Sequence, residues 1–110
     1  METKYQLVFC VINAGFSEAV MAAARKAGAR GGTILKGRGT ASREAEQVFN
    51  IKIQPEKEIV MILVASEIKD KVLRTVYDSV GLTEEGQGIL FSLPVERALG
   101  LHEEEPKKEE

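Results

Sequence analysis

The chain has very few of the side chains that build metal centres and nucleophilic active sites. Its 110 residues include one cysteine, Cys10, and one histidine, His102, and no tryptophan. A single cysteine excludes a disulfide within the chain, and one Cys with one His cannot form a Cys/His zinc site. Cys10 lies inside an apolar run and is predicted to be an inert core residue, so no Ser/His/Asp or Cys/His catalytic set can be assembled. We therefore expect a protein that is not an enzyme.

An excess of positive charge is also missing. Lys and Arg number 15 against 17 Asp and Glu, a net charge of −2, which argues against nucleic acid as a partner. The apolar run at 7–12 is too short for a signal peptide or a membrane span, so a cytoplasmic protein is expected. Five Glu and two Lys fall between Glu103 and Glu110. This composition predicts a folded domain over 1–101 and an acidic flexible tail over 102–110.

Apolar periodicity predicts the order strand, helix, strand, strand, helix, strand. The predicted strands are Gln6–Ile12, Gly32–Lys36, Glu58–Val64 and Ile89–Leu93, and strand character also occurs at Val48–Ile53, before Gln54 and Pro55 break it. The predicted helices have Ser17 and Ser66 as N-caps and end at Gly28 and Gly81. This is an α+β, ferredoxin-like βαββαβ fold, with an antiparallel sheet and two helices on one face. The first and third strands are apolar at consecutive positions, so both faces of the sheet should be dry. We therefore expect a second copy of the chain to cover the face without helices.

Two glycine-rich segments are the candidates for a ligand site. The first is Lys36, Gly37, Arg38, Gly39 and Thr40, after the second strand, and the second is Gly86, Gln87 and Gly88, before the fourth. Alternating glycines let backbone N–H groups converge on an anion, and Lys36 and Arg38 add positive charge. The same glycines also suit an ordinary hairpin turn. Lys57 is either a solvated charge or, in the sharper interpretation, a point-charge ligand for phosphate.

The chain resembles the PII signal-transduction family, the trimeric regulators of nitrogen metabolism and membrane transport, over about residues 5–99. The resemblance rests on the order of elements and on the motifs Lys36-Gly37-x-Gly39, Pro55-x-Lys57 and Gly86-x-Gly88-x-x-Phe91. It implies that the segment after the second strand is the T-loop, which docks on partner proteins. It also implies that Gly86 and Gly88 belong to the B-loop, which wraps nucleotide phosphates in the cleft between subunits. Lys57 matches the family lysine that reaches the nucleotide phosphate.

Departures from the family pattern bear on the ligand. The T-loop is short and has no counterpart of the modified tyrosine, and Ala41 replaces the glutamine near its base. Ile89 replaces the B-loop lysine, while Gly100 and His102 align with two phosphate-gripping arginines. Each charge-assisted hydrogen bond is worth about 1.5–3 kcal/mol, so the loss of three cations weakens triphosphate binding.

The resemblance thus implies a divergent family member. It would be a homotrimer that senses a small anion, with AMP, ADP, ATP or a cyclic nucleotide as candidates, and that signals to a membrane transporter or an enzyme partner. Two alternatives stay open. One is a small ferredoxin-fold hydrolase acting on phosphate esters. The other is a structural or metal-tolerance trimer that binds no nucleotide.

Overall fold

A computed structural model describes residues 3–40, 56–82 and 88–101, so the strand character predicted at Val48–Ile53 lies outside the described residues. Its elements are β1 (Tyr5–Asn13), α1 (Ser17–Lys26), β2 (Thr33–Arg38), β3 (Glu56–Ala65), a 3₁₀ turn (Ser66–Ile68), α2 (Lys69–Ser79) and β4 (Gly88–Val95). The order matches the predicted βαββαβ arrangement, and the ferredoxin-like fold class is confirmed. Within the described ranges, neither helix is long and apolar enough to cross a membrane.

The four strands form one antiparallel sheet in the order β2-β3-β1-β4. The central pair, β1 and β3, aligns Tyr5 with Ala65 and Asn13 with Lys57. At one end of the sheet, β1 and β2 finish while β3 and β4 begin; we call this the Asn13 end. Both glycine-rich segments were predicted next to strands that meet at this end.

One face of the sheet carries both helices, as predicted, and we call it the helix face. Alternate side chains of β1 and β3 are buried there against α1 and α2. The buried set comprises Val8, Cys10, Ile12, Val60, Ile62 and Val64 from the strands, with Val20, Ala23, Ala24, Val72 and Val76 from the helices. The small alanines of α1 leave no bulk between helix and sheet, so the helix can approach the strands closely.

The opposite face, which we call the open face, is apolar and carries no described element. Its side chains are Leu7, Phe9, Val11, Leu35, Ile59, Met61, Leu63, Ile89, Phe91 and Leu93. The rings of Phe9 and Phe91 stack on this face with centroids 5.2 Å apart. Ile89 and Leu93 are 57% and 47% exposed, respectively. A contiguous apolar surface spanning four strands is typical of a protein–protein interface.

Several element boundaries differ from the prediction. β2 continues through Arg38 because Gly37 and Arg38 pair with Lys57 and Glu56 on β3, so this part of the glycine segment is strand rather than turn. β4 continues through Pro94, because it is a sheet-edge strand on which a residue without an N–H is tolerated.

The predicted serine caps were wrong. Ser17 is the first residue of α1 and Phe16 stands at its N-cap, without a side-chain capping bond. Ser66 opens the 3₁₀ turn, and its hydroxyl donates to the carbonyl oxygen of Thr3 at 2.5 Å. The predicted ends were right: Gly28 and Gly81, both with positive φ, follow the two helices.

Candidate functional site

Lys57 is held at the Asn13 end of the sheet, on the open face. Pleat alternation places it on the same side as Ile59 and Met61, because Val60 and Ile62 occupy the helix face. Its ammonium Nζ donates to the side-chain oxygen of Asn13 at 2.6 Å. Both residues are only partly buried. Lys57 thus presents an oriented positive charge beside the apolar surface.

Lys36 and Arg38 lie on the other side of the sheet. In the register of β2 and β3 they stand opposite Glu58 and Glu56, at positions that alternate with Lys57. The positive charge of Lys36 contributes to the lowered pKa of the Glu58 carboxyl, so these two groups interact. The predicted cations are therefore not brought to one point: Lys57 is on the open face, and Lys36 and Arg38 are on the helix face.

The glycines of the first segment give Lys57 room. Gly37 pairs with Lys57, and a Cβ on Gly39 would come within 3.0 Å of Lys57 Cε. Lys57 therefore extends past the backbone of Gly39. Thr40 is the last described residue of this segment and is exposed.

In the second segment only Gly88 is described, since Gly86 and Gln87 lie outside the described residues. Three strand spacings separate the first glycine segment from Gly88 across the sheet, which is about 14 Å within one subunit. A compact anion cannot touch both in the same subunit. Contact with both requires either an elongated ligand or segments from two subunits.

Gly88 also has a packing role that the sequence did not indicate. A Cβ there would lie 2.6 Å from the carbonyl oxygen of Val11 and 3.2 Å from Leu82 Cδ2. The first of these is a backbone atom in the centre of the sheet, and it cannot move aside without displacing β1. Gly88 is thus needed for β4 to lie against β1, whether or not a ligand is bound.

We expect Gly88→Ala to destabilise the fold by about 1–3 kcal/mol, the usual cost of an overpacked site. The matched control is Gly37→Ala, another strand glycine at the same end, whose Cβ would have only Ile59 Cδ1 at 3.8 Å nearby. Urea unfolding followed by circular dichroism measures both variants. Equal free energies of unfolding for the two variants would mean that Gly88 does not lie this close to the backbone of β1.

Glu58 is a structural residue at this end that the sequence analysis missed. Its Oε1 accepts hydrogen bonds from the backbone N–H groups of Gly15, at 3.2 Å, and Ser17, at 3.3 Å. It therefore takes the capping role predicted for Ser17, from a neighbouring strand. The Ser17 side chain, the Gly15 N–H and the charge of Lys36 together lower the pKa of Glu58 below its ordinary 4.5.

Because the folded-state pKa of Glu58 is lowered, its carboxylate stabilises the fold above the unfolded-state pKa. That contribution is lost as pH falls from about 4.5 through the lowered folded-state value. Glu58→Gln should therefore be less stable than the wild type at pH 7, and the difference should shrink on acidification. Urea unfolding at pH 7 and in the acid range checks this, with Glu67→Gln as a control for the loss of one carboxylate. A difference that does not change with pH would contradict the capping role.

Two open cavities flank the sheet. One, of about 740 Å³, lies beside Gly88 between α2 and β4 and is lined by Leu73, Arg74, Tyr77 and Ile89 among others. The other, of about 570 Å³, lies at the opposite end of the sheet and includes Lys4, Arg30 and Leu63.

Among the described residues, no three His, Cys, Asp or Glu side chains cluster as metal ligands would. Burial raises the pKa of the Cys10 thiol to about 11 and keeps it protonated at neutral pH.

The chain matches one known protein family over most of its length. The family model for nitrogen regulatory protein P-II matches residues 5–105. The chain belongs to the P-II family. This confirms the resemblance inferred from the glycine motifs, and it makes the chain a member of a family of signal-transduction proteins that are regulatory rather than enzymatic.

A solved P-II structure has the same architecture. The crystal structure of Arabidopsis thaliana PII bound to citrate superposes with a TM-score of 0.66 and 25% sequence identity, over 84% of this chain and 78% of that chain. Among the curated proteins none matches this P-II sequence. The family match reaches residue 105 and so includes part of the predicted tail, which lies outside the described residues. The boundary at 101 stays a prediction.

Proposed function

We propose that the chain is a cytoplasmic, homotrimeric P-II regulator that binds a small anionic ligand, with an adenine nucleotide as the leading candidate, in clefts between its subunits. The open face supports the trimer, because an apolar surface across four strands needs a partner. A second copy of the same sheet supplies a matching apolar surface. In such an assembly the Asn13 end lies at the border of the subunit interface.

The observation that carries the ligand site is the position of Lys57. Its ammonium lies on the open face, at the end where the first glycine segment finishes and where β4 begins. An anion bound there would meet an oriented cation, the partly exposed backbone of Gly39 and, from a second subunit, the segment before Gly88. This arrangement would join the first glycine segment to the segment before Gly88, although Gly88 itself lies about 14 Å from the first segment within one subunit.

The predicted site residues would contribute to the anion site to different extents. Gly37, Gly39 and Lys57 border the open face directly. Lys36, Arg38 and Thr40 belong to the adjoining strand end, so a ligand reaches them around the end of the sheet. Gly86, Gln87 and Gly88 would contribute from the B-loop. One directly aligned cation suits a monophosphate, cyclic phosphate or carboxylate better than a triphosphate.

Signalling would pass through the segment between Arg38 and Glu56. Its two ends are joined as a register pair of β2 and β3, immediately beside Lys57. A ligand that contacts Lys57 and Gly39 would thus touch the base of this T-loop and bias its conformation, which a membrane transporter or an enzyme would read.

The test is thermal unfolding of the chain with AMP, ADP, ATP, cyclic AMP or citrate. Citrate is included because a similar PII was crystallised with it. A bound ligand at 100 times its Kd should stabilise the protein by about 2.7 kcal/mol and raise the Tm accordingly. No Tm shift with any of the five compounds would contradict the nucleotide-sensor function and favour the alternative, a structural trimer that binds no nucleotide. The tight packing of Gly88 favours that second function, because it explains this glycine without a ligand.

A further inference from the structure

Asn13 has no role in the function proposed so far, and its side chain makes one described contact, with Lys57. Pleat alternation places both residues on the open face, since Ile12 and Val11 alternate in burial before Asn13. The Asn13 side-chain oxygen accepts from Lys57 Nζ at 2.6 Å. The backbone of Asn13 is engaged separately, its carbonyl oxygen accepting from the Phe16 N–H at 3.3 Å.

The chemistry of this pair is specific. An ammonium has three N–H donors and no acceptor, so an amide oxygen that takes one of them leaves two for other groups. An amide is neutral, and therefore it orients the cation without cancelling its charge. A carboxylate at position 13 would orient the cation equally well and would neutralise it.

The cations on the helix face have negatively charged neighbours, and Lys57 does not share this feature across its strands. Lys36 and Arg38 stand opposite Glu58 and Glu56, so a negative side chain faces each of these cations across the strands. Lys57 stands opposite Asn13 on one side and Gly37 on the other. Neither neighbour carries a charge. Gly39 adds a further constraint, because any side chain there would meet the stem of Lys57.

We propose that Asn13 is a positioning residue that holds the Lys57 ammonium on the open face, oriented and with no charged cross-strand neighbour, for an incoming anion. This inference rests on the proposed function, since it deepens the same site. It makes position 13 a determinant of ligand charge: asparagine selects an anion, and a carboxylate there would reject one.

The first experiment needs no nucleotide. In the full-length protein, the side-chain ammonium signal of Lys57 is followed by ¹⁵N NMR and identified by its loss in Lys57→Arg. Asn13→Ala should speed exchange of the Lys57 ammonium protons with water by about threefold or more, because one hydrogen bond protecting them is lost. The control, Gln6→Ala, removes an amide-to-hydroxyl bond of 3.2 Å at the other end of β1 and should leave exchange unchanged. Unchanged exchange in Asn13→Ala overturns the inference.

The second experiment separates orientation from charge, using AMP and inorganic phosphate as probes. Asn13→Ala should weaken AMP binding about threefold to tenfold, because the Lys57 ammonium keeps its charge but is no longer held in position for the anion. Asn13→Asp, which keeps the acceptor, should weaken it more than tenfold and abolish the shift of the Lys57 signal on phosphate addition. A purely structural role would instead be rescued by Asn13→Asp, and that outcome sinks the inference.

The two hypotheses fail separately. Suppose that the wild type binds no AMP, but that phosphate still shifts its Lys57 ammonium signal and does not shift that signal in Asn13→Asp. The nucleotide function is then wrong and the positioning role stands. If AMP binds and both Asn13 variants bind it like the wild type, the positioning role is wrong and the function stands.

Discussion

Replacing Phe91 with glutamate is expected to dissociate the assembly into monomers. Phe91 is 37% exposed on the open face and stacks on Phe9, so it sits in the apolar surface that a second copy would cover. Aromatic side chains at the centre of an interface often contribute about 2 kcal/mol or more each. A buried unpaired carboxylate adds a further cost, and a trimer would contain three of them.

Size-exclusion chromatography with light scattering measures the result over a range of protein concentrations. The matched control is Phe16→Glu, which changes an equally exposed phenylalanine (43%) that precedes α1 and lies off the sheet. The control should retain the mass of the wild type. Circular dichroism shows whether the Phe91 variant remains folded. A folded Phe91→Glu variant with the mass of the wild type would show that the open face is not the subunit interface.

The second large effect is expected at Lys57. Lys57→Gln should weaken AMP or citrate binding about tenfold to a hundredfold, since it removes one charge-assisted hydrogen bond worth about 1.5–3 kcal/mol. Lys36→Gln removes the same charge from the other side of the sheet, where Glu58 stands opposite. We expect it to change the Kd less than about threefold, the size of a screened surface charge effect.

Isothermal titration calorimetry on both variants measures which substitution raises the Kd more. A stronger loss in Lys36→Gln than in Lys57→Gln would place the anion on the helix face. It would also restore the simpler prediction that the glycine segment itself forms the ligand loop. Similar losses in both would indicate a ligand that wraps around the end of β2 and β3.

The fold was predictable from the sequence because the apolar runs are long and the two helix-ending glycines are unambiguous. Residues 58–64 and 7–12 read as strands since β-branched and aliphatic side chains fill consecutive positions, and both proved to be the central pair. The capping of α1 was not predictable in this way. Its acceptor, Glu58, is 41 residues away from Ser17 and reaches it only through the pairing of β1 with β3.

The arrangement of the candidate site residues on the two faces of the sheet was not predictable from the sequence. A segment with alternating glycines suggests a loop, and a loop carries no pleat, so Lys36, Arg38 and Lys57 were expected to act together. Because β2 extends through Arg38, strand alternation divides them between two faces. Asn13 was not among the predicted site residues. Asn13 lies an even number of residues from Leu7, Phe9 and Val11, so its side chain is on the same face of β1 as theirs. This spacing becomes informative only once that face is known to be the open face.

The pairing of Arg38 with Glu56 has a consequence for how such a protein diversifies. The two ends of the segment between Arg38 and Glu56 are held one strand spacing apart, about 4.8 Å, by a ladder that does not depend on what lies between them. Doubling the length of a loop between fixed ends costs only about 0.6 kcal/mol. Insertions and deletions in residues 41–55 can therefore accumulate without disturbing the central strands, the open face or Lys57. Under the proposed function, the choice of partner can therefore change during evolution independently of ligand recognition and assembly.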